Sequence, residues 1–220
     1  MTVVDTGLLD RWVREFARLI GENAGYLTDL DSAIGDADHG INMVRGMKAV
    51  VARLDEAAPC DLAGVCKQVA NALISSVGGA AGPLYGTLFL RMASALGPNP
   101  SVEAAAFSAG LRAGVDGVVA RGRTELGDKT MVDALRPAVD ELEAALADGA
   151  ALHEALRRAA DAASAGRDAT MSMVARKGRA SYLGERSAGH LDPGAASSAL
   201  LIAAAAAAAG DPAAAGDPAA

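Results

Sequence analysis

The chain has 220 residues, of which 51% are hydrophobic but only 3% aromatic, and its formal net charge is −7. This length allows one domain with a full core. The acidic balance, with a pI of about 4.9, argues against nucleic acid or an anionic membrane as the main partner.

Apolar residues recur at helical spacing along the chain, whereas alternating β-branched runs are nearly absent. The pattern predicts about eight helices, and short connections favour antiparallel neighbours. The predicted ranges are 6–23, 40–57, 61–76, 83–97, 101–121, 131–147, 152–173 and 192–209. Residues 1–209 are therefore expected to form one helical domain. The tail 210–220, with its repeated Gly-Asp-Pro, is predicted to be disordered.

Local residues mark several helix ends. Asp61 and Ser101 are candidate N-caps of the third and fifth helices. Asp192 followed by Pro193 is typical of an N-cap and a first helical residue. Pro137, inside the sixth predicted helix, indicates a kink or a late start.

Three features bear on location and redox chemistry. The run 195–209 is apolar but has only about 15 residues, fewer than the roughly 20 needed to span a bilayer, so we interpret it as a buried helix. No signal peptide is visible at the start, and a cytoplasmic protein is expected. Cys60 and Cys66 match no zinc motif and are predicted to be free thiols.

The stretch 31–40, DSAIGDADHG, packs Asp31, Asp36 and Asp38 into eight residues. Carboxylates this close repel one another unless a positive charge lies among them. Oxygen ligands without cysteine favour Mg²⁺ or Ca²⁺ over zinc, and neither Asp31 nor Asp36 begins an EF-hand pattern. The cluster therefore predicts Mg²⁺ with phosphates completing its shell, and a solvated acidic loop is the alternative.

The connections after predicted helices one, three, five and seven carry Gly, Asp, Thr, Lys and Arg, whereas the other three are plain turns. Alternate loops of an up-and-down bundle lie at the same end, so the site is expected there. His39 begins a helix whose N-terminus suits phosphate. Its side chain either donates to a phosphate or caps the helix.

Three further loops complete the predicted site. The glycine-rich turn 75–82 is a candidate phosphate cradle, although it lacks the Lys-Ser/Thr ending of a Walker A loop. In the segment 121–131, Gly122 and Met131 are candidates to contact adenine or ribose, with simple helix capping by Asp128 or Thr130 as the alternative.

The basic run 176–186 concentrates four cations, Arg176, Lys177, Arg179 and Arg186, in an acidic protein. Arginine offers planar donors to phosphoryl oxygens and offsets transition-state charge. A solvated basic loop is the alternative.

These motifs, taken together, resemble the L subunits of phosphotransferase-linked dihydroxyacetone kinases. The stretches that carry the resemblance are YLTDLDSAIGDADHGINM, SSVGGAAGPLYGT, GVVARGRTELGDKTM and ARKGRASYLGERSAGHLDPGA. They occur in matching order and span nearly the whole chain up to about Ala209. The resemblance implies an all-α fold, a single-domain barrel of eight antiparallel helices with the nucleotide site at one end.

The resemblance also implies ligands and site residues. Two Mg²⁺ ions would be held by Asp31, Asp36 and Asp38, and Arg179 is the candidate catalytic residue. The cofactor would be ADP, or ATP when phosphorylated, contacted by His39, Gly40, Ile41, Asn42, Ala80, Ala81, Gly122, Met131, Arg179, Asp192, Pro193 and Gly194. Ala81 stands where family members usually have serine, so a hydroxyl contact to phosphate is expected to be missing.

Membership of this family implies a division of labour. ADP stays bound as a coenzyme, a phosphocarrier M subunit rephosphorylates it, and the γ-phosphoryl passes to dihydroxyacetone on a separate K subunit. A homodimer is also allowed. The alternatives are an ATP-exchanging ketose kinase module of the same fold, a non-enzymatic nucleotide-binding regulatory protein, or a plain helical scaffold. The four motif-bearing loops argue against the scaffold.

Overall fold

The computed structural model describes residues 3–210. Within that range the chain forms nine α-helices, two 3₁₀ segments and one two-stranded β-ladder. Their bounds are β1 (Val3–Asp5), α1 (Thr6–Glu22), α2 (Ala24–Ile34), α3 (His39–Glu56), α4 (Leu62–Ser76), α5 (Ala81–Leu96), β2 (Ser101–Glu103), α6 (Ala104–Gly122), α7 (Val132–Ala147), α8 (Leu152–Ala169), 3₁₀ segments Thr170–Ser172 and Arg179–Ser187, and α9 (Pro193–Gly210).

Eight of the nine helices form a closed ring. From α3 to α9 each helix packs against the next, and α1 closes the ring by contacting both α9 and α3. Short connections make consecutive helices antiparallel. The predicted all-α barrel is therefore confirmed. The predicted tail lies outside the described residues, apart from Gly210, which ends α9.

Helix α2 is the ninth helix, and its absence from the predicted elements was wrong. The prediction places the aspartate loop directly after the first helix, which ends at residue 23. The stretch 24–34 instead forms a helix, because Leu27 is buried in the barrel core and Ile34 packs with Ala175 and Ala180 of the chain between α8 and α9. Asp31, one of the predicted metal ligands, lies on this helix and is also buried.

The N-terminal strand pair is a second correction. Ser101 does not cap a helix, since Ser101–Glu103 pairs antiparallel with Val3–Asp5 and α6 begins only at Ala104. Tertiary pairing overrides the local capping signal here. Asp5 then caps α1 by accepting the Leu8 N–H at 2.8 Å.

Several predicted helix ends are confirmed, and two are shifted. Asp61 caps α4 by accepting the Gly64 N–H at 2.6 Å. Helix α7 begins at Val132 and continues past Pro137, so the alternative that the helix starts late, at the proline, is wrong. Helix α8 ends at Ala169 rather than at residue 173, because the chain tightens into a 3₁₀ turn.

The core packs aromatic rings from α1, α5 and α6 around the alanine-rich helix α9. Trp12 lies 5.8 Å from Phe89 and 5.8 Å from Phe107 between ring centroids, and its indole N–H donates to the Leu201 carbonyl at 2.8 Å. Helix α9 is long and apolar enough to cross a membrane by length and composition alone, but 61% of its residues are buried inside the barrel. The prediction of a buried helix is confirmed.

Both cysteines are free thiols, as predicted. Cys60 is exposed, whereas Cys66 lies in the core, where burial raises its pKa to about 12.

Candidate functional site

The four motif-bearing connections meet around one cavity of about 420 Å³ at one end of the barrel. They are the α2–α3, α4–α5, α6–α7 and α8–α9 connections. The three other connections of the ring contribute no residue to the lining, within the part of the chain that the structure describes. The motif-bearing loops, which alternate with plain turns along the sequence, thus lie at one end of the barrel and the plain turns at the other.

The acidic cluster lies on one wall of this cavity. The carboxylates of Asp31, Asp36 and Asp38 each place one oxygen within 4.8 Å of the other two. Asp31 is only 8% exposed, and its Oδ2 accepts the backbone N–H groups of Asp38 at 2.8 Å and His39 at 3.1 Å. The end of α2 is thereby tied to the start of α3, which holds the other two carboxylates close to Asp31.

The backbone of this loop has little freedom. A Cβ at Gly35 would lie 2.0 Å from Oδ1 of Asp31, so only glycine fits there. Ala37 has a φ of 61°, in the left-handed region that a residue with a Cβ seldom adopts. The loop therefore holds its carboxylates in a strained but well-defined arrangement.

The cluster has the chemistry of a hard-cation site. Its donors are all carboxylate oxygens, which Mg²⁺ prefers. Two backbone N–H groups satisfy only one oxygen of Asp31. The only side-chain cation paired with these three carboxylates, among residues 3–210, is Arg179 on Asp36. The residues present therefore fit Mg²⁺.

Arg179, at the start of the second 3₁₀ segment, pairs with the cluster. Its Nη2 lies 2.8 Å from Oδ2 of Asp36, although the two side chains remain 62% and 36% exposed. An ion pair this exposed contributes at most about 1 kcal/mol to stability. Opening it costs little, so the guanidinium is free to leave Asp36 for another anion.

His39 belongs to a buried hydrogen-bond network. Its Nε2 lies 2.9 Å from Oγ of Ser197, which also contacts the Tyr85 hydroxyl at 2.8 Å. The Ser197 hydroxyl also contacts the Gly194 carbonyl at 3.1 Å, so Ser197 links His39 and Tyr85 to the start of α9. The ring therefore does not cap α3, a task that falls to Asp31.

The ionisation of His39 responds to the same surroundings. Burial lowers its pKa, while the carboxylates of Asp31 and Asp38 act in the opposite direction.

The glycine-rich turn leads into the uncapped start of α5. Ala80 and Ala81 line the cavity, and no side chain caps this helix. Its first N–H groups are therefore free to bind an anion. Ala81 supplies no hydroxyl, so any phosphate contact here must come from the backbone.

The α6–α7 connection is organised by two buried carboxylates. Asp133 accepts the N–H groups of Gly127 at 2.6 Å and Thr130 at 2.7 Å. Asp128 accepts the Glu125 N–H at 2.9 Å, and therefore shapes the turn rather than capping α7. Thr130 does cap weakly, since its Oγ1 accepts the Val132 N–H at 3.2 Å.

Asp192 begins α9 at the base of the cavity. Its Oδ2 accepts the Ala195 N–H at 2.7 Å, as expected of an N-cap. Burial raises its pKa to about 7, with nearby Asp133 and Asp31 adding to the increase, while Lys129 and the hydrogen bond from Ala195 act against it.

The cavity brings together most of the predicted site residues. Those that line it are Asp31, Asp36, Asp38, His39, Asn42, Ala80, Ala81, Gly122, Met131, Arg179, Asp192, Pro193 and Gly194. Gly40 and Ile41 do not line it. A Cβ at Gly40 would lie 2.1 Å from the Ala24 carbonyl of α2, and the Ile41 side chain is 61% exposed. Only their backbone groups remain candidates for nucleotide contact.

The prediction placed Lys129 in a site loop, the segment 127–130, but gave its side chain no role, and it missed Tyr85. Lys129 stands inside a quoted motif, but its partners lie too far along the chain to be seen in it. Tyr85 follows ordinary helical spacing, which marks it only as a core residue.

Known proteins resemble the chain along most of its length. The family model of the DAK2 domain matches residues 33–207. An ADP-binding subunit of the PEP-dependent dihydroxyacetone kinase of Escherichia coli is 45% identical over 186 residues, covering 84% of this chain and 89% of that protein. The ADP-binding subunit of PEP-dependent dihydroxyacetone kinase 1 of Listeria innocua is 44% identical over 191 residues, covering 87% and 90%.

A solved structure has the same architecture. The crystal structure of the dihydroxyacetone kinase from C. freundii in complex with AMP-PNP and Mg²⁺ superposes with a TM-score of 0.70 and 26% identity. The match covers 90% of this chain but only 33% of that chain, so the barrel corresponds to one part of a longer kinase.

Proposed function

The chain belongs to the DAK2-domain family, and we propose that it is the ADP-binding subunit of a PEP-dependent dihydroxyacetone kinase. It spans nearly the full length of the two bacterial subunits that it resembles. Its reaction is phosphoryl transfer, with ADP and Mg²⁺ as cofactors, and ATP as the phosphorylated form of the nucleotide. The acceptor, dihydroxyacetone, is assigned from those relatives.

One observation carries the proposal. The cavity is lined by a cluster of three carboxylates and by Arg179, whose guanidinium lies 2.8 Å from Asp36. Phosphoryl transfer requires of a protein mainly positioning and neutralisation of charge on the phosphoryl oxygens. This arrangement places negative and positive side chains in one cavity with an uncapped helix N-terminus.

The residues have distinct roles in the proposed reaction. Asp31, Asp36 and Asp38 would hold two Mg²⁺ ions, which when bound offset the negative charge of the phosphates. The free N–H groups at the start of α5 orient the phosphates. Arg179 is the catalytic residue, and its donors stabilise charge on the transferred group.

The remaining predicted residues would hold the nucleotide. Met131 and Gly122, which line the same cavity, offer an apolar and a backbone surface for the base and ribose. The remaining nucleotide contacts proposed are His39, Gly40, Ile41, Asn42, Ala80, Ala81, Asp192, Pro193 and Gly194. Ser197 holds the His39 ring by a hydrogen bond, and Asp31 accepts a hydrogen bond from the His39 backbone N–H.

The proposal includes partners. The relatives' names describe an ADP-binding subunit, which implies other subunits in the same kinase. We assign the acceptor to a dihydroxyacetone-binding K subunit and the rephosphorylation of ADP to a phosphocarrier M subunit, both meeting the cavity at its mouth, where Arg179 is 62% exposed. A homodimer and a cytoplasmic location are further parts of the proposal.

The test distinguishes ADP that stays bound as a coenzyme from ATP that binds and leaves as a substrate. The protein is mixed with a K subunit and dihydroxyacetone, and supplied either with ATP alone or with the phosphocarrier system and phosphoenolpyruvate. We expect multiple turnovers only with phosphoenolpyruvate, and ADP that co-purifies and exchanges slowly with labelled ATP, since tight binding is reflected mainly in a slow off-rate.

Two outcomes would change the assignment. Rapid multiple-turnover phosphorylation from ATP alone would make the chain an ATP-exchanging ketose kinase module. Nucleotide binding without transfer under either condition would leave a non-enzymatic regulatory protein.

A further inference from the structure

Lys129 is the most deeply buried cation of the site. Its side chain lies in the α6–α7 connection and is only 1% exposed. Four backbone carbonyl oxygens lie within hydrogen-bond distance of Nζ, those of Thr170 at 2.9 Å, Met173 at 3.1 Å, Ser187 at 2.6 Å and His190 at 2.5 Å, so its three N–H groups are all used and one is shared. No carboxylate accepts a hydrogen bond from it within residues 3–210.

The four carbonyls come in two pairs along the chain. Thr170 and Met173 follow the end of α8, whereas Ser187 and His190 precede the start of α9. The ammonium therefore joins both ends of the segment 170–192, here called the arginine loop because it carries Arg179. Besides the ammonium, three bonds link these two limbs, from Asp192 N to Thr170 Oγ1 at 3.0 Å, from Gly189 N to the Met171 carbonyl at 2.8 Å and from Ala175 N to Ser187 Oγ at 2.8 Å.

The backbone of Lys129 is also unusual. Its φ of 63° lies in the left-handed region, which disfavours any residue with a Cβ. Burial lowers the pKa of Lys129, the Asp192 carboxylate raises it, and four carbonyl dipoles aimed at the ammonium further favour the charged form. A strained, buried ammonium persists because its hydrogen bonds offset the cost of desolvation.

We propose that Lys129 is a positioning residue, whose ammonium closes the arginine loop and so places Arg179 opposite the acidic cluster. The inference rests on the proposed function for its kinetic consequence, but not for its structural one. Among residues 3–210, Arg179 makes one ion pair, to Asp36, and the adjacent Ala180 packs with Ala175 against Ile34 of α2. Its location over the cavity therefore depends on how the loop is held, and misplacement of a reacting group by about 1 Å costs on the order of 100-fold in rate.

Two variants separate loop closure from folding. Lys129→Gly removes the ammonium and suits the positive φ, so backbone strain cannot explain a loss. Lys129→Met keeps an unbranched side chain but has no donor. Lys67→Met, at an exposed position of α4, is the matched control. All four proteins are compared by hydrogen–deuterium exchange without partners, then by transfer from phosphoenolpyruvate.

We expect both Lys129 variants to lose protection in residues 170–192 while the core of α4 and α5 stays protected. Transfer should fall by about 10- to 100-fold. In the double variant Lys129→Gly/Arg179→Ala, the rate should be no lower than in Arg179→Ala alone, because both changes remove the same contribution. The control should match the parent protein.

Three results would overturn the inference. Unchanged protection of the arginine loop would show that other contacts hold it. Multiplicative effects in the double variant would show that Lys129 acts independently of Arg179. Global unfolding of both Lys129 variants would make the residue a determinant of the whole fold rather than of the loop. If the loop loosens but the parent protein shows no transfer, the proposed function fails and the structural inference stands.

Discussion

Both ends of the barrel connect antiparallel helices, but they differ in which residue types adopt a positive φ. At the end opposite the cavity, the connections turn at glycines with positive φ, Gly97 and Gly149, and Asp61 caps the following helix. At the cavity end lie all three non-glycine residues with positive φ among residues 3–210, namely Ala37, Arg123 and Lys129.

Buried charged groups follow the same division. Asp31, Asp128, Lys129, Asp133 and Asp192 are all less than 10% exposed, and each lies in or beside a connection of the cavity end. Such groups and strained conformations persist only where surrounding contacts stabilise them. The barrel core and its plain end therefore stabilise the fold, whereas the strained backbone and buried charges of the cavity end reduce that stability.

The largest difference expected between substitutions at the two ends is in the rate of phosphoryl transfer. Arg179→Ala should lower phosphoryl transfer by on the order of 100- to 1,000-fold, because the guanidinium offsets charge that develops in the transition state. Its free energy of unfolding should change by less than about 1 kcal/mol, since the pair with Asp36 is exposed. Arg176→Ala, at an exposed position outside the cavity lining, is the control. A variant that transfers at the parent rate would exclude Arg179 from the reaction.

The next effect concerns nucleotide retention. Asp36→Asn keeps the size of the side chain but removes one of three charges facing the proposed Mg²⁺ ions. We expect ADP to bind on the order of 100-fold more weakly in Mg²⁺, measured by calorimetry. Asp29→Asn, on the exposed face of α2, should bind as the parent does. Equal ADP affinity of the Asp36 variant and the parent would contradict the metal assignment.

A smaller effect is the pH dependence of stability from Asp192. Its pKa is raised to about 7 in the folded protein, so the folded state holds this proton more tightly than the unfolded chain does. The free energy of unfolding of the parent should therefore fall as the pH rises from about 4 to 7, relative to Asp192→Asn. We expect the variant to gain roughly 2 kcal/mol by pH 8, less than full conversion of the shift, because the cavity admits water.

Denaturant unfolding at pH 4.5, 6 and 8 measures this difference. If the difference in unfolding free energy between parent and Asp192→Asn stays constant, or narrows toward pH 8, ionisation of Asp192 does not destabilise the folded protein.

The smallest effect belongs to the plain end. Asp61→Ala removes the acceptor of the Gly64 N–H and should cost about 1 kcal/mol of unfolding free energy. ADP affinity and transfer should not change, because α4 begins at the end of the barrel away from the cavity. A marked loss of ADP binding would show that the two ends are coupled.

The sequence alone determined the features that depend on near neighbours along the chain. Helical spacing predicted the barrel helices, local caps such as Asp61 and Asp192 predicted helix ends, and the character of alternate loops predicted which end carries the site. Each of these signals acts over a few residues, within one helix turn or one connection. The acidic cluster could be found because its three carboxylates lie close together in sequence as well as in space.

Only the tertiary structure decided the rest. Helix α2 forms because the barrel buries its apolar face, and Ser101 enters a strand because Asp5 lies opposite it. The role of Lys129 depends on carbonyls 41 to 61 residues away, and the pairing of Arg179 with Asp36 joins opposite halves of the chain. These contacts arise when the ring of helices closes, and residues that meet only through closure leave no periodic or local signal in the sequence.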